Sequence, residues 1–202
     1  MEISACELPM VALMPSAFPH TVKAACLHAH LMKKIFAAEG LIFPDCTHSH
    51  ITYAFHIPEP ASEICIRFAY DPKLLADEDR ARVIIQDSMR KYGYAEEDGG
   101  DGWKKYAPLK NLLTLSVDDP IRHRGAAHRH DPQQEHRLGL TEASPGFLAG
   151  INPQGVWRVT VSLHAVVTET LNYRFEVEAE MVQKGGAHDE MDSIRAAHPH
   201  LS

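Results

Sequence analysis

With 202 residues, 45% of them hydrophobic and 23% charged, the chain is long enough for one domain with a packed core and too short for two with separate cores. Its formal net charge is −7 and its basic residues are scattered, which argues against nucleic acid as a partner. No apolar run is long enough to cross a bilayer, and the opening Met1-Glu2-Ile3-Ser4-Ala5-Cys6-Glu7 lacks the positive segment of a secretory signal, so a cytoplasmic location without a membrane partner is expected.

Pro9, Pro15 and Pro19, set among apolar residues, predict an extended arm over 1–19. Met10, Val11, Leu13, Met14 and Phe18 are many apolar side chains for a free end, so the arm, or the helix after it, is a candidate contact in a homo-oligomer. Thr21 can cap that helix, expected over about 21–39: Ala24, Leu27, Leu31, Ile35 and Ala38 share one face, and Gly40 fits the residue that ends it. Cys6, Cys26, Cys46 and Cys65 lie about twenty residues apart with no Cys-x-x-Cys pair, so free thiols are expected.

From Ser49 the period changes to two. Ile51, Tyr53, Phe55 and Ile57 alternate with His50, Thr52, Ala54 and His56, the pattern of a half-buried strand. Pro58 and Pro60 close it. A second strand carries Ile64, Ile66, Phe68 and Tyr70 inward and Glu63, Cys65 and Arg67 outward, so the two are expected to form a hairpin or nearby pair.

A helix is expected over 77–92, with Asp77, Glu78 and Asp79 at its positive end and Arg90 and Lys91 at its negative end. Its inner stripe reads Ala81, Ile84 or Ile85, Ser88 and Tyr92. The acidic, glycine-rich stretch 96–102 reads as an exposed loop that Trp103 anchors.

The remainder is β in character. Leu113, Leu115 and Val117 mark one strand, and Arg137 to Leu140 a shorter one. Trp157, Val159, Val161, Leu163 and Ala165 mark a long strand, and Leu171, Tyr173, Phe175 and Val177 another, with a tight connection at Glu169-Thr170 that suggests an antiparallel pair. Glu176, Glu178 and Glu180 face outward as on a solvated edge. These strands, each with one apolar face, predict a mainly β domain over 20–184: an antiparallel β-sandwich of jelly-roll type with two added helices, followed by a flexible tail over 185–202.

The segment Ala143-Ser144-Pro145-Gly146-Phe147-Leu148-Ala149-Gly150-Ile151-Asn152-Pro153-Gln154-Gly155-Val156-Trp157-Arg158-Val159 resembles a stretch in the N-terminal β-sandwich domain of carbaryl-hydrolase-type (CehA/McbA-like) PHP-domain metallohydrolases. Upstream, Leu113-Thr114-Leu115-Ser116-Val117-Asp118-Asp119-Pro120 followed by Arg124-Gly125 is similar to that domain's strand, Asp-Pro, Arg-Gly element. The resemblance spans roughly 50–180 and rests on turn and packing residues, so it implies a fold more than an activity. The metal-binding domain of the larger relatives would have to start near residue 182, which implies a stand-alone version of the accessory sandwich. That is one departure from the pattern, and the helical insertion at 74–108 is the other; Cys26-Leu27-His28-Ala29-His30 superficially resembles the His-x-His opening of the metal-binding domain but precedes the sandwich, on a predicted helix, and reads as coincidence.

Fourteen histidines are the one feature that favours an enzyme. His48, His50 and His56 share the polar face of the first strand, where His-x-His projects both rings the same way, but a third ligand is needed. His123, His128, His130 and His136 with Glu135 form a second set. Its His-x-His-x4-Glu is reminiscent of a cupin's first metal motif, whereas Arg158 stands where a later cupin ligand would fall. Arg124, Arg137 and Trp157 are candidate ligand-binding residues, and Asp118 and Asp119 read as turn-capping carboxylates.

The expected function is a non-catalytic module binding an unknown small molecule or protein, with no cofactor. The alternative is a metal-dependent, cupin-like enzyme using a divalent transition metal at His123, His128, His130, Glu135 and His136.

Overall fold

A computed structural model describes residues 32–94 and 101–182. The expected arm over 1–19, the first part of the expected helix, most of the acidic loop and the tail lie outside the described residues. The described chain is mostly β: β1 (Lys33–Ile42), β2 (Ser49–Ile57), β3 (Ala61–Asp71), α1 (Glu78–Lys91), β4 (Leu112–Asp118), β5 (His123–Ala127), β6 (Gln133–Gly139), β7 (Gly155–Ala165) and β8 (Leu171–Met181). Among the described residues no helix is long and apolar enough to cross a membrane.

The strands form two four-stranded antiparallel sheets, ordered β1-β8-β3-β6 (sheet A) and β2-β7-β4-β5 (sheet B). The ladders are nested: the first strand pairs with the last, β2 with β7, β3 with β6 and β4 with β5. The chain therefore doubles back at the β4–β5 turn as one long two-stranded ribbon, which the β3–β8 and β4–β7 ladders close into two layers. Alternating side chains of the two layers meet in one core. Ile64, Ile66, Phe68, Tyr173, Phe175 and Val177 come from sheet A, and Phe55, Leu113, Leu115, Trp157, Val159 and Val161 from sheet B. Full burial of each such aliphatic or Phe side chain contributes roughly 1.5–3 kcal/mol.

Residues 33–39, expected to end a helix, are strand β1. Lysine and alanine tolerate either state, and the free edge of β8 supplies backbone partners that a helix would forgo, so tertiary pairing overrides propensity. Gly40 does not cap a helix. It stands opposite Tyr173, where an added Cβ would lie 2.7 Å from that ring.

Two expected pairings are also corrected. Strands β2 and β3 belong to different sheets, and so do β7 and β8. Period-two alternation fixes which side of a strand is buried, but it leaves the neighbour undetermined. Glu169-Thr170 therefore belongs to a crossover between layers. There Asn111 accepts from the backbone of Val167 at 2.7 Å and donates to Thr168 Oγ1 at 2.8 Å. Strand β8 is central in sheet A, so its outward glutamates do not line an edge.

Helix α1 forms as its charges suggest, with Asp77 accepting from the Arg80 amide at 2.9 Å. Its buried stripe is Ala81, Ile85 and Met89, while Ser88 is exposed and Tyr92 is 70% exposed, a shift of the apolar face by about one residue. Ile85, Met89, Trp103 and Leu109 make a small cluster of their own. The insertion is pinned at its base, where the Leu75 amide donates to Leu109 and the Asn111 amide to Lys73, both at 3.0 Å.

Candidate functional site

The residues that carry the family resemblance gather at the β4–β5 turn. Asp119 caps this turn, with Oδ1 accepting from the amides of Ile121 at 2.7 Å and Arg122 at 2.8 Å. Its other oxygen accepts from Arg124 Nη1 at 3.2 Å. Arg124 is fully buried. It donates Nε to the Leu148 carbonyl at 3.0 Å, Nη2 to the same carbonyl at 2.8 Å, and Nη1 to Asn152 Oδ1 at 2.9 Å. Its guanidinium lies 5.5 Å from the centroid of Trp157, whose indole donates to the Pro153 carbonyl at 2.9 Å. Asn152 in turn donates to the Leu138 carbonyl on β6, so one arginine ties the turn, the 148–152 loop and both sheets together. Burial pushes the Arg124 pKa down and neighbouring Asp119 opposes that.

Gly125 and Gly146 make this corner compact. Their φ values are +126° and +95°, and a Cβ on Gly125 would stand 2.1 Å from the Gly146 carbonyl oxygen. The Ala126 amide donates to that same carbonyl at 3.0 Å, covering the edge of β5.

Arg124 and Trp157, expected to bind a ligand, are thus enclosed, with their polar groups engaged inside the protein. Arg137 lies elsewhere, on the outer face of sheet A, paired with Glu63 and Glu135. The structure does not bring these three together.

Nor does it assemble the expected metal set. His123 is exposed and shares a 2.7 Å hydrogen bond with Asp118, while His128 and His130 are exposed on the β5–β6 connection. Glu135 and His136 are adjacent on β6 and point to opposite faces. Burial raises the Glu135 pKa, but hydrogen bonds and charge from Arg137 and Arg67 outweigh it and hold the carboxylate below its ordinary range. His136 is fully buried, bonded through Nε2 to Gln134 Oε1 at 2.9 Å and packed 5.0 Å from the Phe147 ring centroid. Burial, aided by Arg129, pushes its pKa down to about 4, and among the described residues Nδ1 has no partner. Among the described residues no three His, Cys, Asp or Glu side chains converge as metal ligands.

The two outer sheet faces differ in chemistry. On sheet A the charges pair with one another: Arg67 bridges Glu135 and Glu178, Arg137 bridges Glu63 and Glu135, and Lys34 meets Glu176. Cys65 points to this face and is still fully buried beneath those side chains. On sheet B, by contrast, hydroxyls and imidazoles form cross-strand rows. Thr52 and Thr160 share a 2.9 Å hydrogen bond, as do His50 Nδ1 and Ser162 Oγ, and Thr114 Oγ1 meets His164 Nε2 at 2.7 Å. Register places Ser116 beside Thr160 and Thr114 beside Ser162. Burial, then the charges of His128, His50 and His48, lower the His164 pKa.

Sequence reasoning found the polar alternation of each strand here and missed the face they build jointly, because no local signal names the partner strand. The face can donate and accept hydrogen bonds across three strands. No protein-family model and no curated protein matches this chain.

Proposed function

We propose that this protein is a non-catalytic binding module, related to the N-terminal sandwich of carbaryl-hydrolase-type PHP metallohydrolases. The observation that carries the reading is the engagement of Arg124: its hydrogen bonds go to Asp119, Asn152 and loop carbonyls, so the signature residues act as architecture. The nested strand order, which is that of a jelly roll, supports the same kinship. Within that frame the hydroxyl and imidazole face of sheet B is the surface offered to a small polar molecule or a protein.

Thermal-shift screening of a metabolite collection against the wild type and Thr160→Arg, which obstructs the face, tests this. A compound that raises the Tm of the wild type and leaves the variant unmoved supports the reading. Turnover dependent on a metal retained through chelation, and lost in Glu135→Gln, would overturn it.

A further inference from the structure

The two sheets end in four edge strands, and three of these are protected against pairing with another chain. Strand β5 is covered by the 146–148 segment, with Gly125 bridged to Phe147 and the Leu148 amide donating to the Arg124 carbonyl at 2.7 Å. Strand β6 is covered by 142–144, where the Ser144 amide donates to the Arg137 carbonyl and the Gly139 amide to the Glu142 carbonyl, both at 2.8 Å. Strand β1 carries Lys33 and Lys34 and a bulge between Lys34 and Phe36, a charge and a twist that both discourage a foreign strand.

Strand β2 has none of these devices. Its nine residues include no proline and no Lys, Arg, Asp or Glu, and it pairs with β7 from Ser49 to Ile57 without a register shift. Among the described residues nothing pairs with its other side, so a row of backbone amides and carbonyls is left for a further strand. The adjoining rim of the core is apolar. Ile35, Phe36 and Ala38 of β1 and Ile51 and Tyr53 of β2 pack against the core and stay only partly buried, and the Phe36 ring stacks 5.4 Å from that of Phe55.

The order of residues in β2 also matches its own reverse. About Tyr53, Thr52 mirrors Ala54, Ile51 mirrors Phe55 and His50 mirrors His56. A two-fold axis through Tyr53, perpendicular to the sheet, pairs the strand antiparallel with its copy and keeps opposite residues on one face. Polar and small side chains then meet on the outer face and apolar ones on the core face, and no Lys, Arg, Asp or Glu faces its like. We propose that β2 pairs with β2 of a second copy of this chain in that register, joining the two sheets B into one continuous sheet and covering the apolar rim. The pairing uses the edge of the sheet and not its hydroxyl face, so it does not rest on the binding-module reading.

Sedimentation velocity of the full chain at about pH 8, where histidine is ordinarily neutral, tests this. The wild type is expected to sediment with the mass of two chains and to dissociate on dilution. Thr52→Glu/Ala54→Glu, at two exposed positions, sets carboxylates opposite one another across the axis and should weaken the dimer by about tenfold or more. Thr52→Lys/Ala54→Glu sets opposite charges across the axis and should restore it, whereas registers centred on Thr52 or Ala54 would bring like charges together. Both positions are exposed, so folding is retained, as circular dichroism checks. Wild type sedimenting as one chain at about 0.1 mM, or a dimer untouched by Thr52→Glu/Ala54→Glu, would sink the proposal. So would Thr52→Lys/Ala54→Glu protein that associates no more tightly than the doubly acidic variant.

Discussion

The hydroxyl of Tyr53 on β2 is hydrogen-bonded to the hydroxyl of Tyr173 on β8, joining the two sheets through the core. Room for the Tyr173 ring comes from Gly40, directly opposite on β1. Burial, then the hydrogen bond with Tyr53, pushes the Tyr173 pKa up, so the Tyr173 hydroxyl keeps its proton.

Gly40→Ala should therefore destabilise the fold by about 1–3 kcal/mol, the usual cost of overpacking, because the ring has to move. Tyr53→Phe, which strips the buried Tyr173 hydroxyl of its partner, should cost about 1–3 kcal/mol. Urea denaturation checks both, and an unchanged midpoint for Gly40→Ala would contradict the close approach.

Removing Arg124 has a larger expected effect. Arg124→Met leaves the buried Asp119 carboxylate without its cation and frees the 148–152 loop, so a loss of about 3–5 kcal/mol is expected. Arg124→Lys should recover little, since a lysine cannot reproduce the fork that reaches Leu148 and Asn152 together. A variant as stable as the wild type by calorimetry would remove the basis for reading the signature as architectural.

His136 gives the fold a sensitivity to acid. Its pKa is lowered from 6.5 to about 4 in the folded chain, so the unfolded state binds the proton more readily. Its contribution is fully present above 6.5 and is lost as pH falls toward 4, with a slope of up to about 1.4 kcal/mol per pH unit. Stability curves of the wild type and His136→Leu should converge in slope above 6.5 and diverge below it. Parallel curves throughout would show that the ring is not held neutral.

Cys65 should resist alkylation in the folded protein. Burial raises its pKa to about 11, and Glu135 adds to this against the opposing charges of Arg67 and Arg137. Thiolate is the reactive form, so labelling by iodoacetamide at about pH 8 should wait for unfolding, as read by peptide mass spectrometry.

Much of the sandwich is legible along the chain. The alternation of Ile51, Tyr53, Phe55 and Ile57, and of Trp157 through Leu163, places those strands within a residue or two, and Asp77 with Arg90 and Lys91 brackets α1. The site is legible only in part. His50, Thr52, Thr160, Ser162 and Thr114 can each be assigned to a polar face, but nothing local shows that the faces are one.

Sequence alone determined which side of β2, β3, β4, β7 and β8 is buried, because side-chain direction alternates with chain position and burial follows polarity. Tertiary structure decided which strand lies beside which, and whether 33–39 winds as a helix or extends, because backbone hydrogen bonds carry no side-chain identity. The same limit encloses Arg124 behind a distant loop and sets His50, Ser162 and Thr114 side by side from three distant parts of the chain.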